Sequence, residues 1–238
     1  MGLVCLDASG SASYAFYGQG CADRMLAAQR LPRLGDDIKA LHFGSYTMVV
    51  QPVASTQRLL VDRERAARLI SYDPNLRLNV EPDLACWTDA VNWMARRVHL
   101  LKASTEDLAL LRPGEDLRKV AQGWLALGVA LVVVTEGGQG ALAMTHQHTV
   151  DVQAHNVNVV DTLGAGDTFQ AAMLAWLAEA KLLLAQALRD INAEQLQAML
   201  GFASAAAAIT CARRGADMPL RDELPAAPAA TSAAAPAG

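Results

Sequence analysis

Short apolar runs along the chain alternate with longer stretches in which apolar residues recur at helical spacing. The clearest run is VALVVVT at 129–135, an unbroken β-branched segment typical of a strand that is buried on both faces. The intervening stretches have the three-to-four-residue period of amphipathic helices. This alternation predicts an α/β fold with a mainly parallel sheet that is covered by helices on both faces.

Individual elements follow from the same pattern and from turn and cap signals. Strands are predicted at 38–43, 46–50, 69–72, 98–101 and 129–135, with a hairpin formed by 141–145 and 149–154. Helices are predicted at 22–31, 55–69, 82–96, 105–111, 116–127, 164–180, 183–198 and 202–212.

The two ends of the chain depart from this alternation. LVCLD at 3–7 and SYAFY at 13–17 flank a turn-rich ASGS and predict a β-hairpin, which we expect to project as a separate flap over about residues 3–20. The last residues, 225–238, are Pro/Ala-rich and of low complexity, so we predict a disordered tail. The folded domain is therefore expected to cover residues 1–224.

Composition restricts the class of protein. The 238 residues are 53% apolar and 18% charged, which is typical of one globular domain, and a net charge of −4 offers no basic surface for nucleic acid. Four scattered cysteines without a CxxC pair argue against a zinc site or a disulfide framework. Asp7 interrupts the apolar opening, and no uncharged apolar stretch approaches the length of a membrane helix. We expect a cytoplasmic protein without a membrane partner.

The segment DTLGAGD at 161–167 is the strongest candidate for chemistry. Gly164, Ala165 and Gly166 lead into a predicted helix, where small residues and free N–H groups can hold an anion, and Asp167 falls in its first turn. This combination suits phosphoryl transfer, with amides around the phosphoryl group and a carboxylate that accepts a proton from the attacking hydroxyl. The segment alone could equally be a glycine-rich turn with a first-turn acid. It has neither the GK[ST] of a Walker loop nor the third glycine of a dinucleotide fingerprint.

DTLGAGD resembles the second signature of the PfkB/ribokinase family of sugar kinases. Five further segments resemble family elements in the same order, most like those of bacterial fructokinases: AFYGQGCADRML (15–26), ISYDPNLR (70–77), KASTEDL (102–108), VVVTEGGQGA (132–141) and FASAAAAITCARRGA (202–216). The resemblance implies a ribokinase-like three-layer fold with a small β lid. It also implies an ATP- and Mg²⁺-dependent kinase acting on a ketohexose, with D-fructose converted to fructose 6-phosphate.

Site residues are implied by the same resemblance. Asp167 would be the catalytic base, and the backbone of Gly164, Ala165 and Gly166 would form the anion hole. Thr135, Gly137 and Gly140 would line the nucleotide phosphates and ribose. Lys102 and Ser104 would lie at the ATP–Mg²⁺ edge, and Ser204 would lie near the nucleotide. Asp107, where the family usually has Glu, would reach the metal through water. Phe16, Asp73 and Asn75 would contact the sugar, a K⁺ ion would lie near DTLGAGD and 210–216, and the lid could pair two copies as a homodimer.

Plainer interpretations of these residues remain open. Thr135 could be no more than the last residue of a buried strand. Lys102 could belong to a solvated loop and Ser104 could be a helix cap. Asp73 with Asn75 could form an Asx–Pro turn. Phe16 and Tyr17 could be core residues, and Gly18 replaces the arginine of the family's lid. His146, His148 and His155 have no matching ligand set and are expected at the surface.

Two family elements are not found in the 238 residues: an opening strand with a sugar-binding acid, and a GGAPAN-like loop. We therefore expect the N-terminal strands of the fold to be missing. Three functions stay open: an active fructokinase-like enzyme, an inactive remnant that binds nucleotide only, and a non-enzymatic fragment that binds another protein. The sequence does not decide which sugar is bound.

Overall fold

A computed structural model describes residues 2–6, 12–16, 18 and 20–225. The strands are β1 (Gly2–Leu6), β2 (Ala12–Phe16), β3 (Ala40–Gly44), β4 (Leu69–Asp73), β5 (Leu100–Ser104), β6 (Leu131–Thr135), β7 (Ala141–Met144) and β8 (Thr149–Val152). Strands β3 to β8 form one sheet in sequence order. The first four are parallel, and β7 and β8 are added antiparallel.

Helices cover both faces of this sheet. They are α1 (Val53–Glu64), α2 (Leu84–Ala95), α3 (Thr105–Leu111), α4 (Leu117–Ala126), α5 (Ala165–Glu179), α6 (Ala185–Arg189) and α7 (Ala193–Cys211). One core contains Trp87 of α2 and Trp124 of α4, and the other contains Trp176 of α5 and Phe202 of α7. The two cores on opposite faces confirm the predicted α/β fold with a mainly parallel sheet.

The alternation of side chains along the parallel strands places polar residues on one face of the sheet. Leu69, Leu100 and Leu131 begin their strands in the core beneath α5 and α7. Because successive side chains alternate between faces, the residues two and four positions later point to the same side. Five of these six residues are polar: Ser71 and Asp73 on β4, Lys102 and Ser104 on β5, and Thr135 on β6. The exception is Val133 on β6, which stays in the core beneath α5 and α7. The carboxyl ends of the strands, where α/β proteins bind their ligands, are therefore polar on the α5 side.

The predicted flap is present as a separate two-stranded antiparallel sheet, with Gly2 opposite Phe16 and Leu6 opposite Ala12. The side chains of this hairpin, including that of Phe16, lie outside the described part of the chain, and so does Tyr17. The predicted tail falls beyond the described residues after Pro225.

The strand predicted at 46–50 is wrong. Residues 46–48 belong to a 3-10 turn, Ser45–Met48, and α1 begins further along the chain, at Val53. At Gly44 the chain passes so close to β4 that a β carbon there would lie 2.5 Å from the carbonyl oxygen of Asp73. Ser45 then takes a left-handed φ of 55°, which turns the chain out of the sheet. The apolar residues of this run serve the core instead, since Met48 is fully buried.

Three predicted helices also differ from the structure. Within 22–31 only Ala28–Arg30 forms a 3-10 turn; it has no buried residue, so no apolar face stabilises a longer helix there. The two helices expected at 183–198 and 202–212 are the short α6 and the 19-residue α7. Helix α7 begins at a capping box between Asn192 and Gln195, and it continues through Gly201 because its apolar face stays packed on α5.

Protonation of His99 should reduce stability at mildly acidic pH. This ring is buried and accepts a hydrogen bond from the N–H of Ile70 at 2.9 Å through Nδ1. Burial, followed by the charges of Arg65 and Arg189, lowers its pKa to about 4. Between pH 6.5 and 4 the unfolded chain binds a proton that the folded chain excludes. The free energy of unfolding should therefore decrease as the pH is lowered through this range, by up to about 1.4 kcal/mol per pH unit.

The substitution His99→Asn isolates this effect, since its amide oxygen can still accept from Ile70 but does not titrate. Urea unfolding at pH 7 and pH 5 should show that the variant loses about 1 to 2 kcal/mol less than the wild type. An equal loss in both proteins would exclude His99 as the cause.

Candidate active site

The start of α5 is built around Gly164. This residue is the N-cap with φ 76°, a left-handed conformation that favours glycine, and a β carbon on it would lie 2.8 Å from that of Ala216. The first helical bond runs from the Thr168 N–H to the Gly164 carbonyl. The N–H groups of Gly166 and Asp167 precede it and are available to an anion. Asp167 itself is exposed in the first turn, so its carboxylate can meet a ligand.

Asp161 fixes the loop that leads to this helix. Its carboxylate accepts hydrogen bonds at 2.9 Å from the N–H groups of Leu163 and Gly215. These bonds hold the pKa of the carboxyl below its usual range. The backbone carbonyl of Cys211 accepts from the N–H of Val160 at 2.8 Å. The DTLGAGD loop is thus tied to the turn that follows α7.

Lys102 and Asp73 form a buried ion pair behind the same helix start. The ammonium is 2.6 Å from Asp73 Oδ2, and only 3% of Lys102 and 4% of Asp73 are exposed. A β carbon at Gly166 would lie 3.4 Å from Lys102 Nζ, so the ammonium also borders the first turn of α5. Burial raises the pKa of the Asp73 carboxyl, and the adjacent ammonium opposes that rise. The interpretation of Lys102 as part of a solvated loop is therefore wrong.

A polar chain lies beneath this pair. The amide nitrogen of Gln170 donates to Ser71 Oγ at 2.9 Å, and that oxygen is 3.2 Å from Nδ1 of His42. Although part of the His42 ring faces solvent, burial of the rest and the charge of Lys102 lower its pKa to about 4. The sequence interpretation missed all three residues. For His42 and Ser71 the available signal was a polar residue within an otherwise apolar strand, whereas Gln170 is a buried polar residue of helix α5.

Ser104 and Asp107 make a capping box at the start of α3. Ser104 Oγ accepts from the Asp107 N–H, while Asp107 Oδ2 accepts from the N–H and hydroxyl of Ser104. Asp107 Oδ1 accepts from the N–H of Leu76 at 2.8 Å. The helix-cap interpretation of Ser104 is thus confirmed, and a metal role for Asp107 stays a prediction.

The nucleotide residues proposed on β6 lie at its carboxyl end. Thr135 is half-buried, with its hydroxyl 3.5 Å from the Ala103 carbonyl. Gly137 and Gly140 shape the next turn with φ of 54° and 121°. A cleft of about 520 Å³ opens between 155–157 and α7, lined by Ala205, Ala208, Ile209 and Ala212 and closed on one side by Arg213 and Glu223. Ser204 is buried on the same helix.

The remaining predicted residues lie in the turn after β4 and at the surface. Asn75 follows Pro74 with a left-handed φ of 39°, and its carbonyl accepts from Ser45 Oγ at 3.1 Å. The carboxylate of Asp73 bonds Lys102 rather than the backbone of this turn. His146 and His155 are exposed and His148 is half-buried, as a surface location requires.

The described residues contain neither a metal-binding cluster nor a membrane-spanning helix. In ranges 2–6, 12–16 and 20–225, no three His, Cys, Asp or Glu side chains are grouped so that they could hold a metal ion. In the same part of the chain, none of the helices has the length and apolar character needed to cross a membrane.

Comparison with known proteins identifies the family. The model of the pfkB family of carbohydrate kinases matches residues 23–223. The chain belongs to this family. As a pfkB family member it is 40% identical over 189 residues to a fructokinase from Rhizobium leguminosarum bv. trifolii, a match that covers 79% of this chain and 58% of that protein. The chain therefore spans little more than half the length of this curated relative.

Solved structures support the same assignment of this pfkB family chain. A fructokinase from Xylella fastidiosa with bound ATP superimposes with a TM-score of 0.78 at 25% identity, covering 90% of this chain and 68% of that one. A fructokinase double mutant from Vibrio cholerae O395, in a form with fructose, ADP and potassium ion, gives 0.76 at 25% identity, covering 90% and 67%. These likenesses confirm the ribokinase-like fold implied by the sequence.

Proposed function

We propose that the chain carries out ATP-dependent transfer of the γ-phosphoryl group to a hydroxyl of a ketohexose, with D-fructose converted to fructose 6-phosphate. The observation that carries this proposal is the exposed carboxylate of Asp167 in the first turn of α5, directly after the left-handed Gly164. The pfkB family membership and the fructokinase relatives support the choice of reaction and of sugar.

Asp167 acts as the base in this proposal. Its carboxylate accepts the proton of the attacking sugar hydroxyl, whose oxygen forms a bond to the γ-phosphorus while the bond to the β–γ bridging oxygen breaks and ADP leaves. The N–H groups of Gly164, Gly166 and Asp167 stabilise the negative charge on the phosphoryl oxygens, whereas the Ala165 N–H already donates to the Thr162 carbonyl at 3.3 Å. The positive end of the α5 dipole favours both the carboxylate and the phosphoryl group.

The nucleotide occupies the carboxyl ends of the strands and the cleft beside α7. Alanine residues along α7 give the cleft an apolar wall suited to an adenine ring, and Ser204 directly precedes the first of them, Ala205. Thr135, Gly137 and Gly140 place backbone groups near the ribose and phosphates.

Mg²⁺ fits this site only through water. Both oxygens of Asp107 already accept hydrogen bonds, so direct coordination would disturb the capping box with Ser104. One lone pair of Oδ1 remains for a metal-bound water, and Mg²⁺ commonly keeps several waters. The ion would neutralise charge on the β- and γ-phosphate oxygens. The potassium of the Vibrio cholerae structure makes the loop joined by Asp161 a candidate K⁺ site.

The sugar is proposed to lie in front of Asp167, with Asn75 at one side and the β1–β2 hairpin, which carries Phe16, as a lid. A homodimer formed through this lid remains a prediction.

An assay of the 238-residue chain tests the function. ADP release is measured with ATP, Mg²⁺ and D-fructose, with ribose in place of fructose as the control, alongside thermal unfolding with and without Mg²⁺–ATP. We expect fructose-dependent turnover and a raised Tm with nucleotide. A raised Tm without turnover would support a nucleotide-binding remnant instead. A folded sample that shows neither effect would exclude the kinase function for this chain.

A further inference from the structure

Lys102 and Asp73 are an unusual feature of otherwise apolar strands. They stand next to each other on β4 and β5, because the register that pairs Tyr72 with Leu101 continues to them. Their side chains are 4% and 5% exposed. A buried ion pair is weak evidence for stability, since an apolar pair of similar volume often serves a core equally well. Stability alone therefore does not explain why a charged pair is buried at this position.

The ammonium of Lys102 faces the first turn of α5. A β carbon at Gly166 would be 3.4 Å from Nζ, so any residue larger than glycine would crowd the ammonium at the helix start. An ammonium has three N–H donors. Asp73 takes one of them, and in the described part of the chain Lys102 makes no further hydrogen bond. The remaining donors are therefore available to a ligand bound at the N–H groups of Gly166 and Asp167.

Asp73 keeps this ammonium in place. Its Oδ2 is 2.6 Å from Nζ, while its Oδ1 is buried and has no partner. A carboxylate with one unused oxygen is poorly satisfied for a purely structural role. Without it, Lys102 would be an uncompensated buried charge in the empty site, and its long side chain could turn away from α5.

We infer that Lys102 contacts the phosphoryl group in transfer, and that Asp73 is the positioning residue that holds Lys102 against the start of α5. The inference rests on the proposed kinase function and adds a charged contact to its anion hole. It moves Lys102 from the ATP–Mg²⁺ edge to the reacting phosphoryl group, and it moves Asp73 from a sugar contact to a support of that lysine.

Nucleotide affinities test this inference independently of turnover. Calorimetric titration compares Mg²⁺ complexes of ADP and of the β,γ-imido analogue of ATP, because only the analogue carries the third phosphoryl group. The main variant is the double substitution Asp73→Asn/Lys102→Met, which removes both charges and so avoids a lone buried ion. We expect it to bind the ATP analogue on the order of tenfold to a hundredfold more weakly, with ADP affinity changed by less than about threefold.

Single substitutions distinguish contact from positioning. Asp73→Asn alone should weaken the ATP analogue less than the double variant does. If Asp73 acts only through Lys102, adding Asp73→Asn to Lys102→Met should weaken it no further. Equal weakening of both nucleotides, or no weakening in a folded double variant, overturns the inference and leaves the kinase function standing. A wild-type chain that binds neither nucleotide overturns both.

Discussion

Replacing Asp167 by asparagine should lower the kcat of fructose-dependent ADP release by about 10²- to 10⁴-fold, the range associated with loss of a general base. The change keeps the size of the side chain at the exposed start of α5 and removes only its capacity to accept a proton from the sugar hydroxyl. Because Asp167 serves the hydroxyl rather than the nucleotide, the Kd for Mg²⁺–ADP should remain within about threefold of the wild-type value, less than one charge-assisted hydrogen bond would give.

Glu106→Gln is the matched control for this substitution. Glu106 is also an exposed acid in the first turn of a helix, α3, and it has no role in the proposed reaction. Either variant loses a small favourable interaction with its helix dipole, about 0.3–1 kcal/mol. If Asp167→Asn retained turnover close to that of Glu106→Gln, a role as base would be excluded.

A single methyl group at Gly140 should strongly destabilise the protein. The residue has a φ of 121°, and a β carbon there would lie 1.9 Å from the carbonyl oxygen of Val152 and 3.0 Å from the backbone nitrogen of Ala154. The obstacle is backbone of the edge strand β8, which cannot rotate away as a side chain can. Steric overlap and backbone strain together predict that Gly140→Ala lowers the free energy of unfolding by about 3 kcal/mol or more.

Gly138→Ala provides the comparison within the same turn. A β carbon at Gly138 meets nothing within 4 Å. Urea unfolding should therefore show a change of less than about 0.5 kcal/mol for this variant. Similar losses for the two substitutions would mean that the close approach of the turn to β8 is not what requires glycine at position 140.

Local signals in the sequence were sufficient for several elements. Helix α3 has the predicted bounds, Thr105–Leu111, because its N-cap and first-turn acids are all within the segment itself. The β-branched run of β6 and the start of α5 after the DTLGAGD glycines were likewise readable without knowledge of the fold. The short run at 46–50 was ambiguous because apolar periodicity does not tell a strand from a turn that contributes to the core.

The internal contacts of the site required the three-dimensional structure. Gln170 reaches Ser71 across 99 residues of sequence, and Lys102 reaches Asp73 across 29. The local sequence around each of these residues does not indicate which partner it contacts. Their association depends on the strand register and on how α5 packs over the sheet, which no local signal specifies. The sequence did indicate most of the candidate residues through the family resemblance, but not which of them support one another.

The hydrogen bonds of Asp161 connect the loop that precedes the proposed base to the turn beside the nucleotide cleft. Asp161 bonds the backbone at both Leu163 and Gly215, while Gly164 packs against Ala216 and the hydroxyls of Thr168 and Thr210 lie 3.1 Å apart. The loop that carries the proposed base and the end of the helix that walls the nucleotide cleft are consequently one mechanical unit. Attempts to re-engineer nucleotide preference through the turn at 212–216 should therefore alter turnover as well, because that turn is hydrogen-bonded to the loop that leads to Asp167.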